Sequence, residues 1–446
     1  MAIKVGMVSL GCPKNQVDAE QILYKLREDG FEIKADAALA DVVLINTCGF
    51  IESAKQESID TILEFCTLKN EGRIKSVIIT GCLAERYKEE ILKEIPEASA
   101  VVGIGCNADI TEVIKSTLEG RQIEKYGEKC NLDIDAKRIV STQPFYAYLK
   151  IAEGCDNCCT YCAIPSIRGK FRSRTKEHII DEAKWLAKNG VKEVILVAQD
   201  TTRYGEDLYG KSELPSLWKE LAQIDGIKWI RTLYCYPERI TDELIDVIAS
   251  EDKIVKYLDI PIQHCNAEIL KSMNRKGDEE SLRALIKKLR DRIDGMIIRT
   301  TLITGFPGET QEQFEQLCNF ISEMKFDRLG CFAYSAEEGT PAATFPNQIE
   351  LKVREHRADI IMDEQMRISD ENNEKLIGKT IEVVVEGFDR YAECFFGRSY
   401  AEAPEIDGKI FFTSEKKLTI GDFVKVSIDS TMDYDLIGAV IDEFTE

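Results

Sequence analysis

No apolar run in the 446 residues approaches the ~20 needed to cross a bilayer, so no helical membrane segment is expected. The N-terminus, MAIKVGMVSLGC, lacks a signal-peptide layout, because its apolar stretch is short and runs straight into folded pattern; a cytoplasmic location is expected. Positive charge is scarce, with 58 Lys and Arg against 79 Asp and Glu and a net charge of −21. That argues against broad, salt-driven binding to nucleic acid, although a local basic strip can still achieve it. Histidine is rarer still, at three, and His264 in PIQHC reads as structural rather than catalytic. Repeats and low-complexity tracts are missing too. Cysteine, by contrast, is abundant. In a reducing compartment the fifteen cysteines are better read as metal ligands, where clustered, than as disulfides. The length suggests two to four domains.

Cys155, Cys159 and Cys162 lie in one short loop, EGCDNCCTYCAIP, with the spacing Cys-x-x-x-Cys-x-x-Cys. Three thiolates so placed can hold three irons of a 4Fe–4S cubane and leave the fourth iron without a protein ligand, open for chemistry. A zinc site or a group of buried thiols is the plainer alternative. The spacing resembles the signature of the radical S-adenosylmethionine (SAM) enzymes. There the amino and carboxylate groups of SAM fill the open position, and reduction releases a 5′-deoxyadenosyl radical. Cys158 permits a rival triad of Cys155, Cys158 and Cys162; Cys159 is preferred because it fits the spacing of that superfamily.

The fold class expected is α/β in three units. Residues 1–122 alternate Val/Ile-rich strands (KVGMVSL, DVVLINTC, SVIITGC, AVVGIG) with helices, which implies a doubly wound parallel sheet. Ser53 and Gln56 have capping-box spacing at the start of one helix. A polar connector spans about 123–143. Residues 141–370 carry six further strand–helix units, fewer than the eight of a closed barrel, so an open six-unit partial (β/α) barrel is expected with the cysteine loop at its rim. Residues 376–446 turn to five short strands with Gly and Asp turns, which predicts a small antiparallel β-barrel.

In the first unit Cys12, Cys48 and Cys82 each fall at the carboxyl end of a strand. That is the edge where open parallel sheets bind ligands, so three thiols distant in sequence converge. Any one alone would read as a buried hydrophobe. Cys106 ends the fourth strand similarly and ranks below them.

SLGCPKNQVDAE, INTCGFI, ITGC, the EGC loop, TGFPGET and a TRAM-like C-terminus, in this order, resemble the radical SAM methylthiotransferases over the whole chain. The resemblance implies a second, auxiliary 4Fe–4S cluster on Cys12, Cys48 and Cys82 whose open iron carries sulfur. One SAM would methylate that sulfur and a second would generate the radical that activates the substrate carbon. It also implies an external electron donor and a sulfur source. Tyr161 would pack on the SAM adenine, and Gly305 in TGFPGET would lie near it. Gln199, Asp200 and Arg299, at strand ends, would contact SAM or the target. Strand-end capping is the plainer role for the polar ones.

The family divides between enzymes acting on adenosine in tRNA and those acting on an aspartate of a small-subunit ribosomal protein. Residues 376–446 hold seven Lys and Arg against fifteen Asp and Glu, a net of −8, which repels phosphates and suits a basic protein partner. The wording of VAQDTTRYG, GRSYAEAPEIDG and DYDLIGAV also resembles the ribosomal-protein branch, with small-subunit ribosomal protein twelve as substrate. The tRNA adenosine branch and a non-catalytic iron–sulfur carrier are the alternatives. Finally, IRGKFRSRTK spaces Arg168, Lys170, Arg172, Arg174 and Lys176 two apart. If extended, all five face one way, either to attract a carboxylate or RNA or as a solvated edge.

Overall fold

The computed structural model describes residues 2–441. Its first sheet is six-stranded and wholly parallel. The order across it is Glu32–Lys34, Lys4–Ser9, Val42–Thr47, Ser76–Gly81, Ala100–Val102 and Ile123–Lys125. The central strands are buried along their full length because both faces are covered. Val43, Ile45, Val77 and Ile79 pack into one core, while Val42, Leu44, Ile78 and Ala100 pack into another on the opposite side. Strand order reverses between Lys4–Ser9 and Val42–Thr47, which opens a crevice at their carboxyl ends.

Two details differ from expectation. The connector is not all loop, since Ile123–Lys125 adds the sixth strand as a short edge. Its later part is anchored as well: buried Arg138 pairs with Glu20 and Glu182. The helix Glu52–Asn70 begins one residue before Ser53, which leaves Ser53 inside the helix, and no side chain caps its start. Gln56 instead donates to Asp60 one turn ahead.

The second sheet runs in simple sequence order: Tyr146–Lys150, Glu193–Val197, Trp229–Thr232, Ile254–Asp259, Ile297–Thr304 and Arg328–Ala333. All pairs are parallel and the first and last strands do not meet, so the barrel is open. Ala147, Leu149, Val194, Leu196 and Ile298 face the surrounding helices. Tyr146, Tyr148, Ile195, Val197 and Tyr257 face inward, against Val17 of the first domain and Val384 and Ala403 of the last. The lumen is thus closed by the chain's own flanking domains rather than by a full ring of strands.

The C-terminal strands Thr380–Asp389, Cys394–Arg398, Ile410–Thr413, Phe423–Met432 and Asp435–Val440 form a closed barrel. Four pairings are antiparallel and one, Ile410–Thr413 with Asp435–Val440, is parallel. An odd number of strands cannot alternate direction around a closed ring, so the all-antiparallel expectation fails at one seam.

Candidate active site

Cys12 caps the helix Pro13–Glu28, Cys48 follows the strand Val42–Thr47, and Cys82 opens the helix Cys82–Glu94. All three lie at the carboxyl edge of the first sheet, beside its crevice. Asn15 fixes the start of the first helix by donating to the carbonyls of Leu10 (2.8 Å) and Thr47 (3.2 Å). Ser58 brackets Cys48, accepting from its N–H and donating to its carbonyl. Burial pushes the Cys82 thiol up to about 12; nearby Arg168 opposes this, and charge on Cys12 and Cys48 adds to it. Cys48 is raised as well, again chiefly by burial. The three thiols therefore feel one another. Cys106 lies apart, packed with Ile110 and Ile114, and its charged neighbours are Asp109, Lys125 and Glu85.

The second set sits at the barrel rim, after Tyr146–Lys150 and the short strand Ala152–Glu153. The loop is pinned by the Cys155 N–H on the Gly169 carbonyl and by the Phe171 N–H on Asp156. Burial raises Cys155 to about 11 and lifts Cys162 further, with charge on Cys159 and Cys155 adding to the latter. The Cys159 Sγ is 3.5 Å from the Tyr236 hydroxyl. Cys158 behaves differently. It is exposed, with a left-handed φ of +51°, and its carbonyl accepts from Asn274.

Among the described residues, no group of three or more His, Cys, Asp or Glu is arranged to hold a single metal ion. In a cubane each thiolate would bind a different iron. Buried thiols without a cation resist ionisation, and bound iron supplies the positive charge that reverses this.

The two sets adjoin. Cys82 packs against Ala163 and Ile167, just beyond Cys162. Arg168, buried at the end of the helix Ile164–Arg168, donates to the Cys82 Sγ at 3.2 Å and to Asn15 at 3.0 Å. It also pairs with Asp18 of the first domain and Glu153 of the barrel. Fully buried Lys150 joins the same two carboxylates. At a second point of contact, Lys55 and Arg86 of the first domain meet buried Glu337 beyond the last barrel strand.

The remaining expected residues separate. Tyr161 packs in a rim pocket with Met273, Phe306 and Tyr334. Gln199 donates to Glu153 at 3.0 Å, and its buried carbonyl oxygen has no hydrogen-bond partner among the described residues. Asp200 is buried and accepts from Asn157 in the cysteine loop. Arg299 is held by Asp259 at 2.8 Å, with Asp407 of the C-terminal barrel near it. Gly305 has φ +69°, and a Cβ there would meet the Arg354 side chain at 2.1 Å, so its open side is filled by the protein itself. The capping box of Thr310 and Gln313 after it is formed. His264 is buried, bound to Glu309 and to the Asn266 N–H, which is a structural role.

The basic strip does not share one face. Only Arg172–Ser173 is extended, Arg168 lies in a helix, and Arg174 is buried on Asp135 and Glu182. Sequence reasoning passed over Tyr236 beside Cys159, Arg275 stacked 4.2 Å over Tyr236, and Lys14 over Tyr234. Only adjacency to Cys12 marked Lys14 in the sequence.

An open six-stranded parallel barrel with a three-cysteine loop at its rim is the radical SAM fold. The Radical SAM superfamily model matches residues 149–321, the TRAM domain model matches 377–441, and Uncharacterized protein family UPF0004 matches 4–103. A radical SAM methyltransferase, TsrM, from Kitasatospora setae has a similar structure, with a TM-score of 0.58 at 14% identity, covering 77% of each chain. Sequence relatives are far nearer. The chain is 52% identical over 444 residues to ribosomal protein uS12 methylthiotransferase RimO of Clostridium botulinum, covering 99% of this chain and 98% of that one. It is 51% identical over 442 residues to RimO of Clostridioides difficile, covering 99% of both. The chain belongs to the RimO family of radical SAM methylthiotransferases, as its acidic C-terminal unit led one to expect.

Proposed function

We propose that this chain adds a methylthio group to the β-carbon of an aspartate in small-subunit ribosomal protein uS12. It does so with two 4Fe–4S clusters and two SAM molecules per turnover. Cys155, Cys159 and Cys162 hold the cluster that engages SAM, and Cys12, Cys48 and Cys82 hold the auxiliary one. When bound, these groups supply the carbon radical and the sulfur, respectively. The units doing this are residues 1–122, 141–370 and 376–446. Uptake of electrons and sulfur needs an external donor of each, and the reaction belongs in the cytoplasm beside the ribosome.

One observation carries this reading: Cys82 packs against the helix that follows Cys162. A radical made at one site and sulfur delivered from the other must reach the same carbon, so the two cysteine sets need to share a chamber. The residues around them act by orientation and exclusion. Arg168 fixes Cys82 relative to the cysteine loop. Tyr161 and the unpartnered Gln199 carbonyl suit contacts to SAM at the rim, where an unsatisfied buried acceptor favours a donor from a ligand. Arg299, already neutralised by Asp259, suits a supporting contact rather than the main anion site. Val17, Val384 and Ala403 close the lumen to water, which protects a reactive radical.

The test is a strain lacking this chain. Its uS12 is expected to be lighter by one methylthio group, with tRNA nucleosides unchanged; the opposite pattern defeats the substrate assignment. Separately, reconstituted and reduced protein is expected to form 5′-deoxyadenosine from SAM.

A further inference from the structure

We propose that Lys14 binds the carboxylate of the substrate aspartate and thereby selects an acidic target residue; this rests on the aspartate reading above. Lys14 is only 7% exposed. Its ammonium stands 3.4 Å from the centroid of the Tyr234 ring. A buried ammonium is unfavourable unless an anion matches it. Among the described residues no carboxylate forms an ion pair with Lys14; its hydrogen-bond partner is the Tyr234 hydroxyl, and the charges of Cys12 and Glu153 act on it from further away. Glu153, the carboxylate that acts on it, is itself bound by Lys150 and Arg168.

Position gives this charge its meaning. Lys14 lies two residues from Cys12, at the start of the helix Pro13–Glu28, whose Cys12 cap offers no side-chain hydrogen bond. The helix start adds its own partial positive charge. Tyr234 lies at the barrel rim, two residues before Tyr236, whose hydroxyl approaches Cys159. The Lys14–Tyr234 contact therefore spans the gap between the two cysteine sets, where the target carbon has to sit. Tyr234 is held there by a left-handed backbone, φ +63°, which is costly for an aromatic residue, with its N–H on Asp259.

The other buried cations are less available. Arg168 and Lys150 are spent on Asp18 and Glu153, and Arg299 is spent on Asp259. Arg275 stacks on Tyr236 on the side of Cys159 and donates to the Pro261 carbonyl. Among the described residues, Lys14 alone combines burial, lack of a carboxylate ion pair and proximity to Cys12.

The test uses full-length, anaerobically reconstituted protein and purified uS12 carrying either the target aspartate or asparagine in its place. Dissociation constants are measured for wild type, Lys14→Met and Lys14→Arg, with iron content and circular dichroism recorded for each. Wild type is expected to bind the aspartate form about tenfold or more tightly than the asparagine form, as for a desolvated charge pair. Lys14→Met is expected to bind the two forms equally, and Lys14→Arg to restore part of the preference. Retention of the full preference by Lys14→Met overturns the proposal, and so does a wild type that binds uS12 without preference. If Lys14→Met loses iron but keeps the preference, the lysine serves the auxiliary cluster instead. A wild type that modifies no uS12 overturns the substrate reading as well, which separates the two failures.

Discussion

Arg168 donates from Nη2 to the Sγ of Cys82 at 3.2 Å, across the boundary between the first domain and the barrel. The same guanidinium holds Asp18 on one side of that boundary and Glu153 on the other. Replacing it with methionine leaves two buried carboxylates with Lys150 as their remaining cation. The expected loss of stability is about 3–5 kcal/mol, measured by denaturant unfolding. If Cys82 ligates the proposed auxiliary cluster, removing a donor and a positive charge beside its sulfur also makes that cluster harder to reduce. A redox titration followed by electron paramagnetic resonance is expected to give a more negative auxiliary potential in Arg168→Met, with Arg168→Lys in between.

Cys158 and Cys159 are neighbours in sequence and opposites in environment. Cys158→Ser, at an exposed position, is expected to retain the rim cluster and SAM cleavage. Cys159→Ser, buried against Tyr236, is expected to lose both. Ultraviolet–visible spectra and 5′-deoxyadenosine yield read the outcome directly.

Gly154 precedes the first rim cysteine with φ +77°, and a Cβ there would stand 2.1 Å from the Lys170 carbonyl oxygen. Backbone cannot yield as a flexible side chain does. Gly154→Ala is expected to cost about 1–3 kcal/mol and to displace the loop. Iron bound by the rim site should fall while the auxiliary site keeps its own.

Acid should loosen the joint between the first domain and the barrel. Burial pushes Glu153 up, but Lys150 and Arg168 more than offset it and hold the carboxyl below the usual glutamate range. Glu337 is lowered too: Ser335, Arg86 and Lys55 outweigh its burial. A carboxyl depressed in the folded state stabilises the fold above its unfolded pKa, and that contribution disappears as pH falls through the folded value. Melting temperature is expected to drop from about pH 5 downward, with a shallower slope in Glu337→Gln.

The sequence was legible where one residue type did one job. Runs of Val and Ile marked the central strands because burial on both faces leaves no polar alternation; strand-end position singled out Cys12, Cys48 and Cys82, and loop spacing singled out Cys155, Cys159 and Cys162. A short edge strand such as Ile123–Lys125 carries no such run, so its sequence does not distinguish it from a connector. The basic strip misled because alternation means one face only in extended chain, and most of that segment is not extended. Ser53 and Gln56 had the right spacing but the wrong helix start. Lys14 and Tyr236 were illegible, and Arg168 was singled out only as part of the basic strip, because their contacts come from which domain they meet across the boundary. No local pattern encodes that.

The most direct test is iron and sulfide per chain in anaerobically purified, reconstituted protein, compared between wild type and Cys82→Ala. About eight irons are expected in wild type and about four in the variant if, as proposed, each three-cysteine set holds one four-iron cluster. Four irons in wild type, or an unchanged count in Cys82→Ala, contradicts the account.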